Sequence, residues 1–172
     1  MNVKVIETES GKILGAKIVS NDQVRTDLPS VTEGWRFNFN KHAKKKNRQT
    51  YILYCPHSPE IIEGCLIFEM KNTVEPYMAY IEIAPHNRHE KSKLKNVAEC
   101  LIAFACRLSF VNGKGDYLGW LAFDVFEERK EDEAKLMALY SSKYKALRLD
   151  SSTTMVIPPE GGEQLIDEFL NN

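Results

Sequence analysis

Tyr77-Met78-Ala79-Tyr80-Ile81-Glu82-Ile83-Ala84-Pro85 is followed by the basic stretch His86-Asn87-Arg88-His89-Glu90-Lys91-Ser92-Lys93-Leu94-Lys95, then by an apolar-periodic segment from Asn96 to about Phe110. The first piece reads as a strand closed by proline, the second as a loop. The third reads as an amphipathic helix with Val97, Leu101, Phe104, Leu108 and Val111 on one buried stripe. Asn112-Gly113-Lys114-Gly115-Asp116 stops that helix. Residues 117–125 then form a near-continuous apolar run, which predicts a strand buried on both faces. Strand, helix, strand in this order is a βαβ unit, and its two strands run parallel. A strand that leads through a basic loop into a helix start also builds an anion site. Free N–H groups and the positive end of the helix dipole both favour phosphate there.

Working outward, 13–19 reads as a strand, and the strands at 49–54, 61–70 and 77–84 are joined by short turns, which predicts an antiparallel meander. Between the first two, residues 31–45 read as a helix, or as a strand-like stretch because Trp35, Phe37 and Phe39 alternate. Downstream, the acids of 127–133 open a helix continued by 134–140. A last strand covers 153–157, and Gly161-Gly162 leads into a terminal helix over 163–170. With no internal repeat or linker, residues 1–172 read as one domain.

Hydrophobic residues make up 43% of the 172 positions, charged residues 27%, and the net charge is −1. Those values belong to a water-soluble globular chain and exclude a protein basic over its whole surface. Basicity is local, at 41–48 and 86–95. No apolar run approaches the roughly 20 residues of a membrane span, and the first residues lack a leader pattern, so the expectation is a cytoplasmic protein without a membrane partner. Cys55, Cys65, Cys100 and Cys106 show no C-x-x-C spacing and read as reduced core thiols. His57, His86 and His89 are not at metal-ligand spacing, and no metal site is expected. G-x-G-x-x-G and G-x-x-x-x-G-K-[ST] are both absent, which removes dinucleotide and P-loop readings.

The order of antiparallel strands, one βαβ unit, then helix and strand resembles the GCN5-related N-acetyltransferase superfamily. Ile81-Glu82-Ile83-Ala84-Pro85 is similar to the end of the strand before that family's main helix. Lys93-Leu94-Lys95-Asn96-Val97-Ala98 resembles its pyrophosphate loop, [QR]-x-x-G-x-[GA]. Ala98 fits, Lys93 keeps the cation, and Asn96 stands where the first glycine is expected. Asparagine tolerates left-handed backbone better than most residues. Trp35-Arg36-Phe37-Asn38-Phe39, Ala103-Phe104-Ala105-Cys106-Arg107-Leu108-Ser109-Phe110, Tyr140 and Thr154-Met155-Val156-Ile157 extend the likeness to a bacterial branch with a longer, degenerate pyrophosphate loop.

The resemblance implies an α/β (α+β) fold with a mixed, twisted sheet of about 6–7 strands flanked by helices. It implies acetyl transfer from acetyl-CoA to an amine by direct attack, with a small-molecule or peptide amine as acceptor and a homodimer as a possible assembly. Backbone groups of Ile83 and Ala84 would pair with the pantetheine arm. Amides of Lys95, Asn96, Val97, Ala98 and Glu99 would hold the pyrophosphate, helped by Lys93. Tyr140 matches the tyrosine that protonates the leaving thiolate. Glu82, the lone acid in its apolar strand, is the candidate base. Two alternatives stand beside this. Asn96 suits a member that binds coenzyme A or a protein partner without turnover. The basic run at 41–48 suits a toxin-type enzyme acting on aminoacyl-tRNA, although nucleic acid is otherwise not an expected partner.

Overall fold

Period-two alternation along the strands sorts this chain into two faces of one sheet. The computed structural model describes residues 1–24, 27–89 and 92–171, so Glu90 and Lys91 of the basic loop lie outside the described residues. In chain order the elements are β1 (Asn2–Glu7), β2 (Ile13–Ser20), α1 (Asn21–Val24), α2 (Phe39–His42), β3 (Arg48–Tyr54), β4 (Gly64–Lys71), β5 (Glu75–Ile83), β6 (Leu94–Lys95), α3 (Val97–Asn112), β7 (Leu121–Asp124), α4 (Lys130–Tyr144), β8 (Leu147–Arg148), β9 (Thr154–Ile157) and α5 (Pro159–Phe169). The sheet runs β6-β1-β2-β3-β4-β5-β7-β9-β8. Every neighbouring pair is antiparallel except β5 and β7, the two strands of the βαβ unit.

Leu53, Leu66, Phe68, Met78, Phe123 and Met155 project to one face, where α3, α4 and α5 pack on them. Their neighbours Ile52, Cys65 and Ile67 project to the other, beneath Leu28, Trp35 and Phe39. Burial of this apolar surface, at about 25 cal/mol per Å², is the main force holding both layers to the sheet.

Nine strands form where six or seven were expected, because β6 and β8 are only two residues long and β1 lies outside the expected motif. The segment 31–45 is neither a long helix nor a strand. A 3-10 turn at Val31–Glu33 ends at Gly34, which sits at φ 85, and α2 follows as a single turn. Its aromatic residues instead plug the second face, Trp35 and Phe39 meeting edge to face at 5.8 Å. The run 117–125 is not buried on both faces. Only Leu121–Asp124 is strand, alternating buried and half-buried, and Tyr117, Leu118 and Trp120 are exposed. The helix at 96–110 does not bury one stripe. Ile102, Ala103, Ala105 and Cys106 are as buried as Leu101, while Val111 is 71% exposed, because α5 lies along its outer side. The two helices touch at Gly162, where a Cβ would meet Cys106 Cβ at 3.4 Å, an ordinary contact distance.

Candidate active site between β5 and β7

β5 and β7 are in register only where Tyr77 faces Ala122. Beyond that point they part. The cause lies on β5. Ile67 of β4 pairs with Tyr80 but Phe68 pairs with Met78, so Ala79 is an extra residue in the ladder. A bulge of this kind bends its strand and leaves one residue out of the pairing. The gap is a cleft of about 370 Å³, with Met78, Ala79, Tyr80 and Ile81 along one wall and Phe123, Asp124 and Val125 along the other. Leu136 and Tyr140 of α4 close it on one side of the sheet, Arg36, Phe37 and Arg48 on the other.

Tyr140 therefore lines this cleft. Its ring packs against Phe123 at 4.7 Å and Tyr144 at 5.5 Å. Burial, with the charge of Glu127 adding to it, pushes its phenol up to about 12, so the hydroxyl keeps its proton at neutral pH.

Glu82, the expected base, is engaged by the chain itself. One carboxylate oxygen accepts the backbone N–H of Arg36 at 2.7 Å and a guanidinium N–H of Arg88. The other accepts the N–H of Phe37 at 3.2 Å. A buried carboxylate with both oxygens engaged by the chain holds a loop in place. What it holds is the loop that presents Arg36, whose guanidinium makes a two-pronged ion pair with Glu127 at 3.0 and 3.0 Å across the cleft mouth. Phe37 is carried edge-on to Tyr80 at 5.0 Å by the same loop. His42 stacks on the same ring at 4.1 Å. Burial and the charges of Arg48 and Lys41 press its imidazole below its ordinary value.

The expected backbone partners are also displaced. Ala84 donates its N–H to Glu63 O at 2.8 Å, and its carbonyl accepts the N–H of Asn87 at 2.9 Å. The carbonyl of Ile83 accepts from the Arg88 guanidinium at 3.4 Å. The backbone that lines the cleft is earlier on β5, at Met78 to Ile81 around the bulge. A one-residue bulge between two apolar strands leaves no mark in hydrophobic periodicity, so this was not readable.

Of the loop residues, Asn96 has the left-handed conformation its position requires, φ 68 and ψ 13, directly before α3. It makes no side-chain cap, so the first-turn amides of Val97, Ala98 and Glu99 are without a side-chain acceptor from Asn96. Lys95 belongs to β6, opposite Ile6 of β1, and so to the sheet edge. Lys93 is not beside Tyr140 but in a separate cleft of about 760 Å³ against the β1–β2 turn. There the buried carboxylate of Glu63 pairs with His86 and accepts the Asn87 side-chain amide, each at 2.6 Å. The side chain of Glu99 is buried and ion-paired with Lys143 from the last turn of α4. This pair ties the start of α3 to the helix that carries Tyr140.

The basic run is partly internal. Lys45 and Arg48 both pair with the buried Glu69, at 3.1 and 2.9 Å, while Lys44 and Lys46 are exposed. Among the described residues no three His, Cys, Asp or Glu side chains converge as metal ligands do, and no helix is long and apolar enough to cross a membrane.

A meander, a βαβ unit whose parallel strands splay, and a tyrosine on the next helix define the fold of the GCN5-related N-acetyltransferases. Solved structures agree. The KacTA–DNA complex is similar to this chain at TM-score 0.60 and 14% identity, over 89% of this chain and 99% of that one. AtaTR bound with acetyl-CoA is similar at TM-score 0.56 and 14% identity, over 88% and 98%. A chimera of the spermidine N-acetyltransferase SpeG from Vibrio cholerae with hSSAT follows at TM-score 0.50 and 13% identity, over 86% and 98%. At 13–14% identity these likenesses establish the fold. No family profile matches the sequence, and no curated protein matches it.

Proposed function

We propose that residues 1–172 act as one domain that transfers an acetyl group from acetyl-CoA to a primary amine. The observation that carries this reading is the splay of β5 from β7 at Ala79, with the protonated hydroxyl of Tyr140 beside it. In this reading the pantetheine arm runs along Met78 to Ile81, whose bulged backbone supplies hydrogen bonds to the arm and to the thioester oxygen. The amine nitrogen attacks the thioester carbonyl carbon and forms the N–C bond. The C–S bond breaks, and its electron pair stays on sulfur. Tyr140 donates its proton to that sulfur as charge develops, the proton shed by the amine passes to solvent, and solvent returns a proton to the Tyr140 phenolate. The diphosphate lies at the uncapped first turn of α3. The fold likeness to acetyltransferases, one of them solved with acetyl-CoA, supports the choice of donor. Calorimetry with acetyl-CoA tests it. Saturable binding in the micromolar range is expected, and no heat up to high micromolar concentration would overturn it.

A second reading, a coenzyme-binding module without turnover, is favoured by one specific observation. The carboxylate of the expected base, Glu82, is engaged by the amides of Arg36 and Phe37 and by the Arg88 guanidinium. If acetyl-CoA binds but no panel of amines releases thiol, the second reading holds.

A further inference from the structure

A third cleft, of about 440 Å³, lies on the sheet face away from α3 and α4. Alternation along β7 and β9 builds its floor: Asp124, Thr154 and Val156 line it, while Phe123, Met155 and Ile157 lie in the core against the helices. Three aromatic rings surround it, Tyr77, Tyr117 and Trp120. Tyr117 is 43% exposed and Trp120 38%. Three carboxylates line the same space, Glu75, Asp116 and Asp124, against the single ammonium of Lys71.

Two contacts decide what this space accepts. The Lys71 ammonium lies 3.4 Å from the centroid of the Tyr77 ring, well inside the roughly 6 Å over which a ring face attracts a cation. The chain itself thus already places a cation on this aromatic wall. Beside it, Asp124 accepts hydroxyl hydrogen bonds from Tyr77 at 2.6 Å, Thr154 at 2.7 Å and Thr153 at 3.1 Å. Burial opposes its ionisation, but these hydroxyls and Lys71 outweigh burial and hold it below the usual carboxylate range. An anion entering here meets three carboxylates, and a neutral molecule leaves their field unanswered.

We propose that this cleft binds an organic ammonium ion. Its charged head replaces Lys71 over the Tyr77 ring and faces Asp124, and its apolar body lies against Trp120, Leu149 and Val156. Tyr77 and Asp124 also line the splay, so the two clefts share a wall. The claim stands apart from acetyl transfer and survives if that reading fails.

The probe is choline, which carries a quaternary ammonium and has no amine to acetylate, compared with its uncharged carbon isostere 3,3-dimethylbutan-1-ol. Binding is followed by the indole N–H resonance of Trp120. Choline is expected to shift that resonance saturably, with the isostere at least tenfold weaker. Trp120→Ala, read by calorimetry, and Asp124→Asn should each weaken choline at least fivefold. Lys71→Met removes the competing cation and should tighten it, a gain that misfolding cannot mimic. Equal affinity for the isostere would overturn the proposal, as would choline binding indifferent to all three substitutions. A dimer that Trp120→Glu splits, with no response to choline, would also overturn it and make this face a self-interface.

Discussion

Tyr77 faces Ala122 at the register position where β5 and β7 pair, and two residues later Ala79 bulges out of the β4 ladder. The strands are joined at their base and separated above it. A slot between parallel strands exposes backbone groups that a ligand must satisfy. Tyr140 stands at that slot, and the account of function rests on this arrangement.

Tyr140→Phe removes only a hydroxyl, and among the described residues that hydroxyl has no hydrogen-bond partner. Folding stability should therefore hold within about 0.5 kcal/mol. Turnover, followed as thiol release, should fall by about 10²-fold or more, with acetyl-CoA affinity nearly unchanged. Full activity in the variant would remove Tyr140 from the chemistry.

Glu82→Gln tests a positioning residue. Gln keeps one acceptor and loses the charge that Arg88 pairs with, inside a buried site. A loss of about 2–3 kcal/mol is expected, seen as a melting point lower by about 5–10 °C. Any residual activity should keep the wild-type pH profile. Loss of the acid limb from that profile, without loss of stability, would assign Glu82 as the base.

Asn96 sits at φ 68. Asn96→Gly should leave stability unchanged or raise it slightly, whereas Asn96→Ala should cost about 1 kcal/mol, because a Cβ without a local hydrogen bond is strained there. Urea denaturation separates the two. Equal stability of both variants would mean that the turn relaxes.

Alkaline pH should unfold the protein from within. Burial raises the thiols of Cys100 and Cys106 from 9.0 to about 12, and the Tyr140 phenol from 10.0 to about 12. Above pH 9 the unfolded chain sheds these protons first, so it binds fewer than the native chain and stability falls with rising pH until about 12. At the acid end Asp124 is depressed below 3.8, so its contribution is present above that value and is lost as pH falls below it. Chemical denaturation across pH 7 to 11 checks the alkaline limb. A flat profile would contradict it.

The meander, the βαβ unit and the left-handed Asn96 were legible, because strong alternation, a long apolar helix and a glycine-like position are local signals. The site was legible only in part. Tyr140, expected from the family resemblance, does line the splay. A lone acid in an apolar strand such as Glu82 looks the same in sequence whether it faces a substrate or the amides of Arg36 and Phe37, 46 and 45 residues away. The backbone contacts of Ile83 and Ala84 and the bulge at Ala79 likewise depend on pairing with β4 and its flanking residues. Lys93 and Lys95 resemble phosphate ligands by charge, yet pairing of β6 with β1 takes them to the sheet edge. Each of these placements depends on a contact distant in sequence.

The most direct measurement is the structure of this protein with acetyl-CoA. The account predicts the pantetheine arm between β5 and β7, its thioester beside the amides around Ala79 and its sulfur within hydrogen-bond reach of the Tyr140 hydroxyl. Acetyl-CoA bound on another face, with the splay closed and Tyr140 distant from sulfur, would contradict it.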